Sequence, residues 1–354
     1  MPFKHHVLIL TPGFPTHEMD DICVPYIQDF LLAFAEHDSP FKFTIVAFQY
    51  PGHHRSYTWK GVRVHALGGD NNKFLKPLTW WRAWTKAKTI HQSDKVDTVL
   101  SFWLGETAWI GQKTAQDLGA NHIAVAMGQD VLPINRYLKR LDSRRTKIVA
   151  VSKRMAQALK QNSKLISCKT IPFAEPKVRQ AVPNQWDDRE VDILGVGSLI
   201  RLKRFEDWVQ VVKECISINP SLKSVLIGEG PEMGTIMAQI VNSGMENQIK
   251  VVGKCSRENT LEWMKKSKVL LHPSEYEGMG YVFTEALNRG MCVVSKATGL
   301  AEPSSSWKVA EDPAGMKLAT LEFLEEGPSV PAHRDWEGMA KAMVDAYKDL
   351  FVSR

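Results

Sequence analysis

The chain has 354 residues, 44% of them apolar, which suits two domains each with an ordinary buried core. No run approaches the roughly 20 apolar residues of a membrane span, which excludes a helical membrane protein. Charge is uneven: residues 1–180 carry 25 Lys and Arg against 14 Asp and Glu, a net +11, while residues 181–354 carry 20 against 25, a net −5. The first half is therefore expected to meet something acidic, a phospholipid surface or a phosphate-bearing substrate, unless the asymmetry serves solubility alone.

The opening MPFKHHVLIL is too short an apolar run for a signal peptide and lacks a small-residue cleavage site, so it reads as a first strand. β-rich runs then recur at Phe43–Phe48, Val62–Leu67, Thr98–Trp103, His122–Ala126 and Ile148–Ser152. A second series follows at Ile193–Gly197, Ser224–Gly228, Lys250–Gly253, Val269–His272 and Cys292–Ser295. Helical patterns lie between them, at Pro25–His37, Arg204–Ile218, Glu232–Ser243 and Glu258–Lys266. Near-continuous apolar strands alternating with helices imply parallel sheets covered on both faces, an α/β architecture doubly wound twice over. The polar stretch EPKVRQAVPNQWDDRE separates the two series and reads as a linker over 176–190. That gives a first domain over 1–175, a second over 191–330, and a closing amphipathic helix within 331–354, after the breakers in GPSVP. Two such domains would form a cleft at the carboxyl ends of their sheets, where ligands of this architecture bind.

Candidate chemistry is taken in the same order. Thr11-Pro-Gly13-Phe14-Pro15 ends the first strand, and its turn lacks the G-x-G-x-x-G fingerprint, which argues against an NAD-dependent enzyme. Lys73–Gln92 holds five Lys/Arg, three Trp and no acid. It suits a membrane interface, or else a sheet-covering helix with Trp80 and Trp84 on one face and Trp81 aside. Met127-Gly128-Gln129-Asp130 ends another strand: Gly128 would let a ligand approach the backbone, and Asp130 either meets that ligand or caps a turn. In GVGSLIRLKRFEDW a strand ends at Gly197, and Arg201, Lys203 and Arg204 sit where a strand-to-helix loop can offer cations to a diphosphate. LIGEGPE reads as architecture, and Gly253-Lys254 as a strand end whose backbone is open to a base edge.

The richest window is HPSEYEGMGYVFTEALNRG, from His272 to Gly290. A strand feeds a glycine-bearing turn and then a helix near Gly280, so unpaired backbone N–H groups and the helix dipole favour an anion there. Glu277 on the turn and Glu285 inside the helix point into one pocket from different heights, suited to the hydroxyls of a sugar nucleotide. Five scattered cysteines and eleven histidines show no metal-ligand spacing, so no metal site is expected and the thiols suit a cytosolic protein.

These motifs resemble the E-x7-E signature of the retaining family-4 glycosyltransferases, which have the GT-B fold. PSEYEGMGYVFTEALNRGMCVVS carries it, with GVGSLIRLKRFEDW and LIGEGPE before it in the expected order and VAMGQDV and KIVAVSKRMAQAL like first-domain segments. The resemblance covers Asp192–Glu302 and His122–Phe173.

It implies two Rossmann-like domains facing a central cleft, with the last helix crossing back to the first domain. It also implies transfer of a sugar, with retention, from a nucleoside-diphosphate sugar to a glycan or lipid-linked acceptor. Glu277 and Lys203 would be catalytic. Gly197, Ser198, Arg201, Arg204, Gly253, Lys254, Gly278, Met279, Gly280, Tyr281 and Glu285 would complete the donor site. Gly13, Phe14, Pro15, Gly128 and Asp130 would face the acceptor.

No cofactor, metal or nucleic acid is implied. The expected setting is the cytoplasm, at the inner face of an anionic membrane, in cell-envelope or exopolysaccharide synthesis. Three positions depart from the family pattern: Met127 replaces a histidine, Ser198 an arginine, and Thr16-His17-Glu18-Met19 a glycine pair. They keep open a non-catalytic partner that binds a glycan or sugar nucleotide. A nucleotide-sugar epimerase on the same fold is the other alternative.

Overall fold

A computed structural model describes residues 5–37, 39–163, 168–180, 183–328 and 335–353. The chain divides into two compact units, residues 1–177 with 337–354, and residues 178–336. The division falls inside the polar stretch that the sequence marks as a linker. Much of that stretch is packed: Glu175 is buried in the first unit and Arg189 in the second. Arg189 donates to the carbonyls of Ser267 and Arg289 at 2.6 and 2.9 Å. The breakers at 329–331 lie outside the described residues.

The first unit is built on strands β1 (His5–Gly13), β2 (Phe41–Tyr50), β3 (His54–Trp59), β4 (Val62–Leu67), β5 (Thr98–Phe102), β6 (Asn121–Ala126), β7 (Lys147–Ala150) and β8 (Cys168–Thr170). They form one sheet in the order β3-β4-β2-β1-β5-β6-β7-β8, parallel except for β3 against β4. The antiparallel pair turns on Lys60 and Gly61, both at positive φ (42° and 82°), as a two-residue hairpin matched to strand twist requires.

Helices α1 (Pro25–Glu36), α2 (Lys76–Ser93), α3 (Glu106–Leu118) and α4 (Lys153–Asn162) accompany the sheet. Thr79, Ala83, Ala87 and Ile90 are the buried face of α2. Trp80 turns sideways onto Trp109 and donates to Glu106 at 2.9 Å, while Trp84 donates to Asp117 at 2.6 Å. The paired tryptophans are thus engaged with α3, and Trp81 is the one exposed.

The second unit carries β9 (Val191–Val196), β10 (Ser224–Ile227), β11 (Ile249–Gly253), β12 (Ser267–His272), β13 (Cys292–Ser295) and β14 (Trp307–Val309), all parallel, in the order β11-β10-β9-β12-β13-β14. Its helices are α5 (Phe205–Ile218), α6 (Met233–Asn242), α7 (Arg257–Lys265), α8 (Tyr281–Asn288) and α9 (Pro313–Glu326). In α5 the buried side chains Phe205, Trp208, Val209, Val212, Cys215 and Ile216 recur at helical spacing, and they join Ile193, Val269 and Leu271 of the sheet in one core.

The closing helix α10 (Trp336–Val352) returns to the first unit, where Tyr347 meets Phe30 at 5.0 Å and Phe351 meets Phe41 at 5.2 Å. No described helix is long and apolar enough to cross a membrane.

Candidate active site

Counted along the chain, the strands of the second unit lie in the order 3-2-1-4-5-6, so the winding reverses between β9 and β12. At such a reversal the loops leaving the two carboxyl ends part in opposite directions and open a crevice for ligand. The loops here are 197–204 after β9 and 273–280 after β12. They are joined by the Glu275 amide, which donates to the Leu202 carbonyl at 3.0 Å.

The turn after β10 supports the first loop from below. Leu199 donates its amide to Glu229, and Glu232 donates back to Leu199, at 2.9 and 3.0 Å. A Cβ on Gly228 would stand 1.8 Å from the Gly197 carbonyl oxygen, so glycine alone permits this approach. LIGEGPE is architecture, as its sequence suggests, and what it holds in place is the loop that bears Lys203.

Three side chains converge in the crevice. Lys203, on a single 3-10 turn (Arg201–Lys203), donates from Nζ to Glu277 Oε1. His272, the last residue of β12 and 1% exposed, donates from Nε2 to the same Oε1 at 2.6 Å. Burial pushes the His272 imidazolium down, so the ring is neutral and Nε2 carries its proton. Burial alone would raise the Glu277 carboxyl, but the His272 hydrogen bond, the charge that ring takes on in acid and the Lys203 ammonium outweigh it and hold Glu277 at about 2. The crevice therefore holds a carboxylate and a lysine ammonium side by side, both only partly exposed.

The loop after β12 ends at Gly280, which adopts φ 75° and precedes α8. No side chain caps that helix. Its N-terminus is one end of the crevice, and anions favour such ends. Met279 accepts from the Leu300 amide at 2.9 Å, which pins the turn. Further along α8, Glu285 is 9% exposed and its Oε1 accepts from Arg257 Nε at 2.8 Å. Arg257 begins α7 and lies 5.5 Å from the centre of the Tyr281 ring. Tyr281 opens α8, so the arginine spans the helix start and the buried acid.

The remaining expected donor residues are placed as follows. Gly197 donates its amide to Ile227, and Ser198 and Arg201 are exposed on the same loop. Arg204, left-handed at φ 54°, is held by Asp207 through Nε and Nη2, both at 3.0 Å, and lies 3.5 Å from Glu275. It is committed to its own helix start, and among the described residues Lys203 is the cation in contact with Glu277. Gly253 accepts from the Gly228 amide, and Lys254 pairs with Glu229 at 3.0 Å.

In the first unit the strand ends are mostly occupied by the fold. Phe14 is buried edge-on against Trp59 at 5.2 Å, and Pro15 is buried with its carbonyl accepting from Tyr57. Gly13 pairs with Tyr50. Asp130 accepts from the amides of Gly128 (2.6 Å), Leu104 (2.7 Å) and Met127 (3.1 Å). It caps the turn, one of the two roles its sequence allowed. Burial pushes its carboxyl up, against those amides, which favour the charged form.

Sequence reasoning gave no role to His272 or Arg257. The first stands five residues before Glu277, a spacing that carries a meaning only once the loop is seen to fold back. For the second, the sequence offers no signal beyond the N-cap Ser256, since its partner lies on another helix.

Residues 177–303 match the family model described as glycosyl transferases group 1. The chain is 28% identical, over 116 residues, to N-acetyl-alpha-D-glucosaminyl L-malate synthase of Bacillus anthracis, a match covering 32% of this chain and 30% of that protein. Among solved structures it is similar to sucrose-phosphate synthase from Thermosynechococcus elongatus, with a TM-score of 0.77, 15% identity and coverage of 99% of this chain and 100% of that one. It is also similar to HepE of Anabaena in complex with UDP and glucose, with a TM-score of 0.71, 13% identity and coverage of 98% and 99%. These structural likenesses establish the GT-B fold.

Proposed function

From the GT-B fold and the glycosyl transferases group 1 match over residues 177–303, we propose that this protein is a retaining glycosyltransferase that uses a nucleoside-diphosphate sugar. The single observation that carries the reading is the Lys203–Glu277 pair at the sheet reversal, beside a helix N-terminus without a side-chain cap. A diphosphate needs positive charge at its leaving end, and lysine with helix amides supplies it without a metal. A transferred sugar needs an acceptor for its hydroxyl protons, and Glu277 is ionised at any physiological pH.

In the reaction the bond between the anomeric carbon and the phosphate oxygen breaks. The acceptor hydroxyl oxygen forms the new bond on the same face, and its proton passes to the departing phosphate. Glu285 takes the donor ribose, and the acceptor is a glycan or lipid-linked sugar bound through the first unit. A UDP-sugar is the first donor to try, since HepE was solved with UDP and glucose and the Bacillus relative is named for N-acetylglucosamine. An envelope or exopolysaccharide role at an anionic membrane fits the net +11 of residues 1–180.

The test is release of nucleoside diphosphate from UDP-glucose and UDP-N-acetylglucosamine with a panel of glycan acceptors, for the wild type, Glu277→Ala and Lys203→Met. Transfer by the wild type and its loss in both variants supports the reading. Binding of UDP with no transfer or hydrolysis favours instead the non-catalytic partner that Met127 and Ser198 keep open. Conversion of the donor to its epimer without an acceptor favours the epimerase.

A further inference from the structure

Glu277 uses its two carboxylate oxygens unequally. Oε1 accepts from both Lys203 Nζ and His272 Nε2. Oε2 has no hydrogen-bond partner among the described residues and is not fully buried, on a side chain that is 11% exposed. One oxygen is anchored and the other is presented.

The two anchors differ in what they can do when a donor arrives. Lys203 reaches Glu277 at the end of a long, rotatable stem, and a diphosphate, with more than one negative charge, would compete with Glu277 for it. His272 cannot move. It ends β12 in register with Ser295, and its ring is held edge-on between Phe205 at 6.4 Å and Phe283 at 5.1 Å. Nδ1 of the ring is buried and has no partner, so the proton belongs on Nε2, where it meets a carboxylate. Leaving Nδ1 an unpaired buried acceptor is unfavourable, and the Nε2 contact to a carboxylate offsets it.

We infer that His272 is the positioning residue of the donor sugar site: its Nε2–H fixes Glu277 Oε1 so that Oε2 meets a sugar hydroxyl, and it keeps the carboxylate there once Lys203 has turned to the diphosphate. The inference rests on the donor-site reading above. It adds a division of labour, in which the lysine is exchanged between acid and phosphate while the histidine is permanent.

The test compares His272→Phe, which keeps the packing and removes the donor, with His272→Gln, whose amide donates from nearly the same place. Calorimetric titration with UDP and with UDP-N-acetylglucosamine reads the sugar contribution as a ratio of affinities. His272→Phe should bind UDP within about twofold of wild type, bind the UDP-sugar about tenfold more weakly, and lose kcat; His272→Gln should recover most of both. Equal loss of UDP and UDP-sugar, or no change in their ratio, overturns the inference, as does a folded His272→Gln that recovers nothing.

A second arm needs no ligand. Nitrogen NMR of the free protein should show the His272 ring neutral and protonated at Nε2, and a ring protonated at Nδ1 or titrating near 6.5 overturns the inference. A wild type that shows this tautomer but binds neither UDP nor the UDP-sugar instead removes the donor-site reading and leaves the anchoring in place.

Discussion

Arg257 at the start of α7 and Glu285 in the middle of α8 face each other, with Nε and Oε1 2.8 Å apart and both side chains nearly sealed from water. The pair fixes α7 to α8 directly behind the turn that carries Glu277. Removing one member of a buried pair typically costs about 3–5 kcal/mol, and the further partners that Arg257 and Glu285 each have put this pair at the low end. Arg257→Ala should therefore destabilise the second unit by about 3 kcal/mol in urea titration, and Glu285→Gln by about 1–2 kcal/mol, because the amide still accepts a hydrogen bond. The proposed ribose contact gives a separate readout. Wild type should prefer UDP to 2′-deoxy-UDP by about tenfold, and Glu285→Gln should lose most of that preference while still folded. Equal preference in both proteins sinks the ribose assignment.

The acid Glu277 supplies a pH test with a definite sign. Its folded value, about 2, lies below the ordinary 4.5, so the folded state favours the charged form. Its stabilising contribution is fully present above pH 4.5 and is lost as pH falls through about 2. Lys203→Met removes a charge that holds the value down, so loss of donor affinity on acidification should begin at a higher pH in that variant. An unchanged acid limb would show that Lys203 does not govern the carboxylate in solution.

A buried histidine of the first unit acts on stability in the same direction, at a higher pH. His122 hydrogen-bonds Ser101 Oγ at 3.0 Å and Thr146 Oγ1 at 2.8 Å, and burial pushes its ring down to about 3. In the unfolded chain the same ring takes a proton below about 6.5. Between those values the unfolded state binds one proton more, so stability falls as pH falls, by up to about 1.4 kcal/mol per unit. His5, His6 and His272 are also pushed down by burial and steepen the trend. Denaturant midpoints from pH 7 to 5 should fall in wild type and fall less in His122→Gln, whose amide can keep one hydroxyl contact.

Much of this was legible in the chain. Apolar runs such as Val269–His272 announce strands buried on both faces, and the spacing of Phe205, Trp208, Val209 and Val212 announces the helix that covers them. The edges were not legible. β3 alternates exposed and half-buried side chains, and β8 and β14 have three residues each, too few for a period to show. Glu277 and Lys203 could be paired from motif order alone, but their meeting at one oxygen depends on a loop-to-loop hydrogen bond between Glu275 and Leu202. Phe14 was expected beside an acceptor because it follows a strand end; the hairpin that brings Trp59 over it buries it instead. Helix faces were readable by period, but not which face met protein, which is why Trp80 and Trp84 turned out to be taken by α3.

The support beneath the Lys203 loop is open to test. An alanine at Gly228 would place Cβ 1.8 Å from a backbone oxygen, and the backbone there, at φ 150°, is one that L side chains rarely adopt. Gly228→Ala must shift the 197–204 loop, so it should weaken UDP binding at least tenfold while costing stability by about 2 kcal/mol. Gly234→Ala is the control, since a Cβ there meets nothing within 4 Å. It lies inside α6, where alanine is favoured over glycine by up to about 1 kcal/mol, so this variant should be as stable as wild type or slightly more so. Equal UDP affinity in Gly228→Ala would separate the turn from the donor loop.

The proposed membrane attachment is tested at the exposed apolar side chains around the start of α2. Leu78 (39% exposed) and Trp81 (57%) lie three apart on α2, Phe74 (94%) stands in the turn before it, and Lys73 and Arg82 flank the three. Thr79, Ala83 and Ala87 are on the buried face of the helix. Exposed apolar side chains flanked by cations, in a segment without an acid, match the boundary of an anionic bilayer, where rings sit at headgroup depth. The protein should co-float with phosphatidylglycerol vesicles at low salt, release as salt is raised, and ignore neutral vesicles. A triple variant, Phe74→Ser with Leu78→Ser and Trp81→Ser, should lose about tenfold or more of that binding and keep its UDP affinity, because buried apolar area supplies the anchor. Undiminished flotation of the triple variant would assign the attraction to charge elsewhere in the first unit. A wild type that fails to bind at low salt would return these side chains to ordinary exposed surface, and a wild-type dimer that dissociates in the variant would assign them to a second copy of the chain.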